Sequence, residues 1–366
     1  MVERCFRIAV FPGDGIGDEI MRPCIALLEA AVRKVGGFAL EFDWLPAGAR
    51  CYATTGESLP EASLAAARTA DAILLAAMGL PDIRYADGTE ISPQIELRMA
   101  LDLYAGLRPV RAIPGLTPVL ADPRAGTLDF VIIRESTEGL FASHGKGEVF
   151  DDREARDTMV ITRAVSERLF EFALRLGARR RQQGRPGRVT CVDKANVFKS
   201  FAFFRTVFDQ MAARHPDVAA DHAYVDATAL NMVRRPWDLD VLVTENMFGD
   251  ILSDLGAGLV GGLGFAPSGD IGDHHAVFQP CHGSAPDIAG QGKANPTAMF
   301  LSGAMMLEWL GERHGVPEAE TAGALIRDAV DAAFSGDALL PYEIGGDAGT
   351  SAVSAAVTAE LDARRA

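Results

Sequence analysis

FRIAVFPGDGIGDEIMRPCIALLEAAVRKV, residues 6–35, reads as strand, turn and helix in immediate succession. Phe6–Phe11 is an apolar run of strand length, Pro12–Gly17 is a glycine-rich turn, and from Asp18 to Val35 apolar residues recur at helical spacing. The same alternation continues outward. Further buried strands are expected at Ala72–Ala77, Asp129–Ile133, Val189–Val192, Ala223–Val225 and Asp240–Val243. Helices are expected at Ser63–Thr69, Thr162–Leu176, Asn196–Ala213 and Asn246–Leu259. Strand–helix alternation of this kind predicts an α/β protein with a largely parallel sheet. The basic stretch Arg179–Arg188 reads as a solvated loop between a helix and a strand. The early PGDGIG has neither GxGxxG nor Walker spacing, so it carries little weight as a nucleotide fingerprint.

The chain has 366 residues, enough for two domains or one elaborated α/β body. Its formal charge of -15 argues against nucleic acid or an anionic membrane as a partner, since both call for a basic face. No apolar run approaches the ~20 residues of a membrane span, and the N-terminal stretch lacks the layout of a secretory signal. Five cysteines, scattered and without a CxxC pair, fit reduced thiols. A cytoplasmic location is therefore expected.

Four constellations carry chemistry. Arg98 and Arg108 share the stretch ELRMALDLYAGLRPVR, and Arg134 closes the apolar strand DFVIIRES. Arginine's planar fork suits carboxylates, so convergence of the three would mean an anionic substrate. Asp250 and Asp254, in TENMFGDILSDLGAG, stand one turn apart on a single helix face. Two like charges there are unfavourable unless a cation joins them, and oxygen-only donors suit Mg²⁺ or Mn²⁺. Asp226, after the strand-like HAYV, is a third candidate ligand. Lys194, just past a buried strand in VTCVDKANVF, could serve as a general base if partly desolvated. Finally, the small-residue loop CHGSAPDIAGQGKANPTAMF allows close approach of a ligand, and Asp287 within it could accept hydrogen bonds from a ribose diol.

Together these pieces resemble the isocitrate/isopropylmalate dehydrogenase family, the metal-dependent β-decarboxylating dehydrogenases that include D-malate, tartrate and homoisocitrate enzymes. The matching segments are PGDGIGDEI, LRMALDLYAGLRPVR, VIIRESTEG, VDKANVF, YVDA, VTENMFGDILSDL, HGSAPDIAGQGKANPTA and GGDAGT, spread over nearly the whole chain. The resemblance implies a two-domain α/β fold that is not a Rossmann fold, with parallel and mixed sheets flanked by helices. Residues 1–103 and 262–366 would form a large cofactor-binding domain, and 104–261 a smaller one carrying the metal site and the dimer interface. It implies a homodimer whose active site is shared between subunits, with no nucleic-acid or membrane partner.

By the same resemblance, Arg98, Arg108 and Arg134 hold the carboxylates of a malate-like 2-hydroxy dicarboxylic acid. Asp250 and Asp254 ligate Mg²⁺ or Mn²⁺, while Lys194 and Asp226, the latter both ligand and catalytic residue, reach in from the partner. His282, Gly283, Ser284, Ala285, Asp287, Ile288 and Asn295 form the adenosine site. The aspartate there favours NAD over NADP, because it would repel a 2′-phosphate. The implied reaction is hydride transfer from C2 to the nicotinamide, followed by loss of CO₂.

Two departures qualify this. Where the family has a tyrosine that protonates the enolate, this chain has Phe141, so Ser143, His144 or water must act instead, or the reaction stops at the 2-oxo acid. Before the first arginine, Ser92, Gln94 and Ile95 line the substrate's C3 side where isopropylmalate enzymes place leucines. A small or polar C3 group, as in D-malate, tartrate or isocitrate, therefore fits better than a branched alkyl. Competing readings are a non-catalytic regulatory subunit, which would be expected to lack the lysine or the carboxylates, and a dehydrogenase of the 4-hydroxythreonine-phosphate type, which would need histidine ligands.

Overall fold

The computed structural model describes residues 4–336 and 339–364, so the outermost limits drawn for the domains at residues 1 and 366 lie outside it. In chain order the strands are β1 (Arg4–Gly13), β2 (Phe38–Trp44), β3 (Ala72–Ala77), β4 (Ala105–Arg111), β5 (Asp129–Glu135), β6 (Glu148–Phe150), β7 (Glu154–Arg156), β8 (Arg188–Asp193), β9 (Ala219–Tyr224), β10 (Val241–Thr244), β11 (Pro267–Ile271) and β12 (Ala276–Pro280). The α-helices are α1 (Gly17–Val35), α2 (Ala49–Thr55), α3 (Glu61–Thr69), α4 (Pro93–Ala100), α5 (Arg163–Gln182), α6 (Lys199–Ala212), α7 (Val225–Arg234), α8 (Asn246–Leu259), α9 (Thr297–His314), α10 (Pro317–Phe334) and α11 (Thr350–Ala363).

Ten strands form one sheet in the order β2-β1-β3-β12-β11-β4-β5-β10-β8-β9, and β6 and β7 form a separate hairpin. Two parallel blocks, β2-β1-β3-β12 and β5-β10-β8-β9, are joined through β11 and β4, which pair antiparallel with their neighbours. The chain crosses into the second block at β4 and returns at β11. Central strands such as β3, whose six residues AILLAA are all buried, are covered on both faces by helices. This is the mixed α/β architecture expected from the sequence. No described helix is long and apolar enough to cross a membrane.

One expectation holds only in part. Of the Arg179–Arg188 stretch, the connection between α5 and β8 is confined to residues 183–187, exposed over 183–186: α5 runs on to Gln182, and Arg180 is buried. Its Nε donates to Asp240 at 2.6 Å and its Nη1 to Asp129 at 3.1 Å. A buried arginine paired with two carboxylates below β5 and β10 anchors the helix end to the sheet. Smaller shifts occur at two boundaries. Asp193 Oδ1 accepts from Ala195 N at 2.8 Å, holding a turn that delays α6 to Lys199, and Val225 opens α7 instead of closing β9.

Candidate active site

The three arginines arrive from three elements and converge. Arg98 lies in the last turn of α4, Arg108 in β4 and Arg134 in β5, and all three are buried. Between two of them sits Asp270 of β11, to which the sequence reading assigned no role. Its Oδ1 accepts from Arg108 Nη2 at 2.9 Å, and its Oδ2 from Arg98 Nη2 at 3.3 Å and Gln279 Nε2 at 2.7 Å. Burial opposes the Asp270 charge, yet Arg108 and Arg98 hold this carboxyl well below the usual range. An acid inside the buried strand PSGDI was the available signal, since such a group is rarely left unpaired.

The cluster is short of negative charge. Burial, then Arg98 beside it, pushes Arg134 down to about 10, although an arginine keeps its proton at neutral pH. The Nε of Arg98 is buried with no partner among the described residues. Donors without acceptors and guanidiniums crowded together make a site that favours an incoming carboxylate. Gln94 lies one turn before Arg98 on α4, and its Oε1 is likewise buried and unpartnered. Ser92, at the start of that helix, donates to Glu90 O at 3.3 Å.

Arg134 is braced on several sides. Its Nε donates to Asn246 Oδ1 at 2.8 Å, its Nη1 pairs with Asp250, and its guanidinium carbon lies 5.0 Å from the centre of the Phe141 ring. Ser143, one candidate to replace the missing tyrosine hydroxyl, is committed elsewhere. Its Oγ donates to Thr158 O at 2.8 Å and accepts from Thr158 N at 2.9 Å. His144 is exposed.

Asp250 and Asp254 share one face of α8, as their spacing requires. No described residue donates a hydrogen bond to the Asp254 carboxylate, and burial followed by Asp250 raises its pKa. Two crowded carboxylates, one without a donor, suit a hard divalent cation. Among the described residues, however, no three His, Cys, Asp or Glu side chains of one chain converge as a metal site. Asp226 instead pairs with Lys194, Oδ2 to Nζ 2.8 Å, and the lysine holds its carboxyl below the ordinary range.

The loop from His282 to Asn295 docks on the glycine-rich turn Pro12–Gly17. Ile16 N donates to Ser284 O at 2.9 Å, and Ser284 Oγ donates to Gly79 O. At Gly15, with φ +57°, a Cβ would stand 1.9 Å from Ser284 O, so only glycine permits this approach. Gly283, Ala285, Asp287 and Ile288 form the exposed to half-buried stretch of the loop, with Ile288 N donating to Ala285 O at 3.2 Å. Burial keeps His282 below its usual pKa; its Nδ1 lies 2.9 Å from Gly283 O, and its buried Nε2 has no partner among the described residues. Asn295 is used internally: Oδ1 accepts from Thr297 Oγ1 at 2.7 Å and Nδ2 donates to Glu343 at 3.2 Å.

A mixed α/β sheet carries a buried arginine cluster suited to an anion, two neighbouring carboxylates of which Asp250 is paired with Arg134, and a glycine-docked loop. The chain belongs to the isocitrate/isopropylmalate dehydrogenase family, whose model matches residues 7–360. It is 42% identical over 317 residues to a 3-isopropylmalate/3-methylmalate dehydrogenase of Methanocaldococcus jannaschii, covering 86% of this chain and 89% of that one. It is 38% identical over 360 residues to a 3-isopropylmalate dehydrogenase of Methanothermobacter thermautotrophicus, covering 98% and 99%. Among solved structures, an isocitrate dehydrogenase from Methylococcus capsulatus matches with TM-score 0.84 at 35% identity, covering 97% of this chain and 99% of that one.

Proposed function

We propose that this protein is an NAD-dependent dehydrogenase that oxidises and decarboxylates a malate-like 2-hydroxy dicarboxylic acid carrying a small or polar C3 group. The observation that carries the reading is the buried arginine cluster, with the unpartnered Nε of Arg98 as a donor in wait. Arg98, Arg108 and Arg134 bind the carboxylates, and the unpartnered Gln94 Oε1 favours a polar C3 group over a branched alkyl. Lys194, oriented by Asp226, takes the proton of the 2-hydroxyl. The residues of His282–Asn295 would hold the adenosine of NAD, with the bare Nε2 of His282 available as an acceptor and Asp287 disfavouring a 2′-phosphate. NAD, when bound, would supply the hydride acceptor, and Asp250, Asp254 and the partner's Asp226 would hold a Mg²⁺ or Mn²⁺ that supplies Lewis-acid chemistry.

The functional unit of this reading is a cytoplasmic homodimer, with residues 1–103 and 262–366 as the cofactor domain and 104–261 as the smaller domain. Its test is a spectrophotometric panel of D-malate, both tartrates, isocitrate, homoisocitrate and isopropylmalate with NAD or NADP and Mn²⁺. The expected outcome is NADH formation from small or polar members. Turnover of isopropylmalate alone would overturn the C3 assignment, and turnover of none would overturn the function.

A second reading, oxidation without decarboxylation, is favoured by one observation. Phe141 presents a ring, not a hydroxyl, toward Arg134, and Ser143 has its hydroxyl tied to Thr158. CO₂ released per NADH formed separates the two readings: a ratio of one is expected, and a ratio near zero that Phe141→Tyr raises would establish the second.

A further inference from the structure

We propose that Asp270 is a specificity-determining residue which sets the charge of the arginine cluster, leaving it matched to a dicarboxylate and mismatched to a tricarboxylate. The proposal rests on the function read above and deepens it by separating substrates which that reading leaves together. Three guanidiniums bring three positive charges into a buried space, and Asp270 is fully enclosed with them.

Asp270 is a fixed part of the cluster, held from every side. It stands opposite Gly106 in the antiparallel pairing of β11 with β4, and a Cβ on that glycine would lie 3.2 Å from its Oδ1. The carboxylate thus packs on bare backbone where a side chain would have crowded it. Gln279 fixes Oδ2, and Arg108 is itself pinned by donating from Nη1 to Leu107 O at 3.1 Å and Gly269 O at 3.2 Å. An incoming acid meets Asp270 as a permanent resident.

Subtracting that one charge leaves two of the three arginine charges. Asp250 pairs with Arg134 in this structure, but its side chain is half-exposed and shares a face of α8 with Asp254, so a cation held by the two acids would draw its charge away from the cluster. Two carboxylates of a malate-like acid cancel what remains. A third carboxylate on the C3 arm would arrive with no positive charge left and would face the field of Asp270. At an effective dielectric near 20 and a separation of about 6–7 Å, such an interaction changes affinity by tenfold or more. A hydrogen, hydroxyl or short alkyl at C3 meets no such penalty.

The experiment has two arms. In the first, kcat/KM for D-malate, tartrate and isocitrate is measured with NAD and Mn²⁺ in the wild type and in Asp270→Asn. The wild type is expected to prefer the dicarboxylates by about tenfold or more, and the variant to shift that ratio toward isocitrate by at least about tenfold, mainly through KM. In the second, melting of the wild type is followed with succinate or citrate at matched ionic strength, and succinate is expected to protect at lower concentration.

Equal loss of activity toward both classes in a variant that still melts near the wild type would assign Asp270 a structural role and overturn the proposal. Equal protection by succinate and citrate would do the same, and this arm decides alone if Asp270→Asn does not fold. Oxidation or binding of both classes without preference sinks only the charge assignment. Failure to oxidise or bind any acid sinks the proposed function itself.

Discussion

Arg98, Arg108 and Arg134 are buried among α4, β4 and β5 with their counter-ion Asp270 supplied by the same chain, whereas Lys194 and Asp226 meet at a surface. The Asp226 side chain is 68% exposed, and the elements that carry or adjoin it, α6 with its preceding residue, α7 and α8, bear the exposed apolar residues Phe198, Phe203, Leu230, Val233 and Ile251. The arginine cluster is therefore complete within a single chain. Lys194 and Asp226, to which the proposed reaction assigns the proton, stand among exposed apolar residues of the kind that a second subunit covers. On the proposed reading, the contrast explains why Asp226, Asp250 and Asp254 are all present yet do not converge as a metal site within one described chain.

The largest expected effect tests that division directly. Lys194→Met and Asp254→Asn should each cost about 10³-fold or more in kcat when prepared as separate homodimers. If Lys194 of one subunit serves the carboxylates of the other, a hybrid of the two variants contains one intact site and one doubly defective site. Co-expression or joint refolding should then restore roughly a quarter of wild-type activity, because half the dimers formed are hybrids with one working site. Activity that stays at the level of the parents after hybrids are shown to form would mean that each chain completes its own site.

How far these two regions could be read from sequence follows from their physics. Runs such as Ala72–Ala77 and the periodic Asn246–Leu259 match β3 and α8 end to end, because a single signal, apolar run or helical period, dominates each. Elements beyond α8 are harder to delimit for the opposite reason. α9 is buried on nearly every side from Thr297 to Leu307, so it shows no polar face to give a period. β11, with the sequence PSGDI, is composed of residues that ordinarily mark turns.

The site followed the same rule. Arginines and paired acids announce themselves locally through residue type and spacing. Asp270 does not, since its partners Arg98 and Arg108 lie 172 and 162 residues away along the chain. Within the Arg179–Arg188 stretch only Arg180 departs from the rule that charge means solvent, because it is paired with Asp129 of β5 and with Asp240 just before β10.

The buried half should also leave a mark on stability, smaller but separately measurable. Glu135, next to Arg134, is buried and accepts from Thr137 N at 2.6 Å, Thr137 Oγ1 at 2.8 Å and Glu138 N at 2.8 Å. Burial outweighs these bonds and raises its pKa from 4.5 to about 7. Below pH 4.5 the group is protonated whether folded or not and exerts no pull. Between 4.5 and 7 the folded chain holds a proton that the unfolded chain has released, so stability falls as pH rises, and above 7 the penalty is complete. The full difference is worth at most ~3 kcal/mol. Glu135→Gln keeps one acceptor oxygen and removes the titration. Its melting temperature should therefore drop less than the wild type's between pH 5 and pH 8, by a few degrees. Identical slopes in the two proteins would show that Glu135 does not carry this cost, and that the electrostatic strain of the buried half is confined to the arginines.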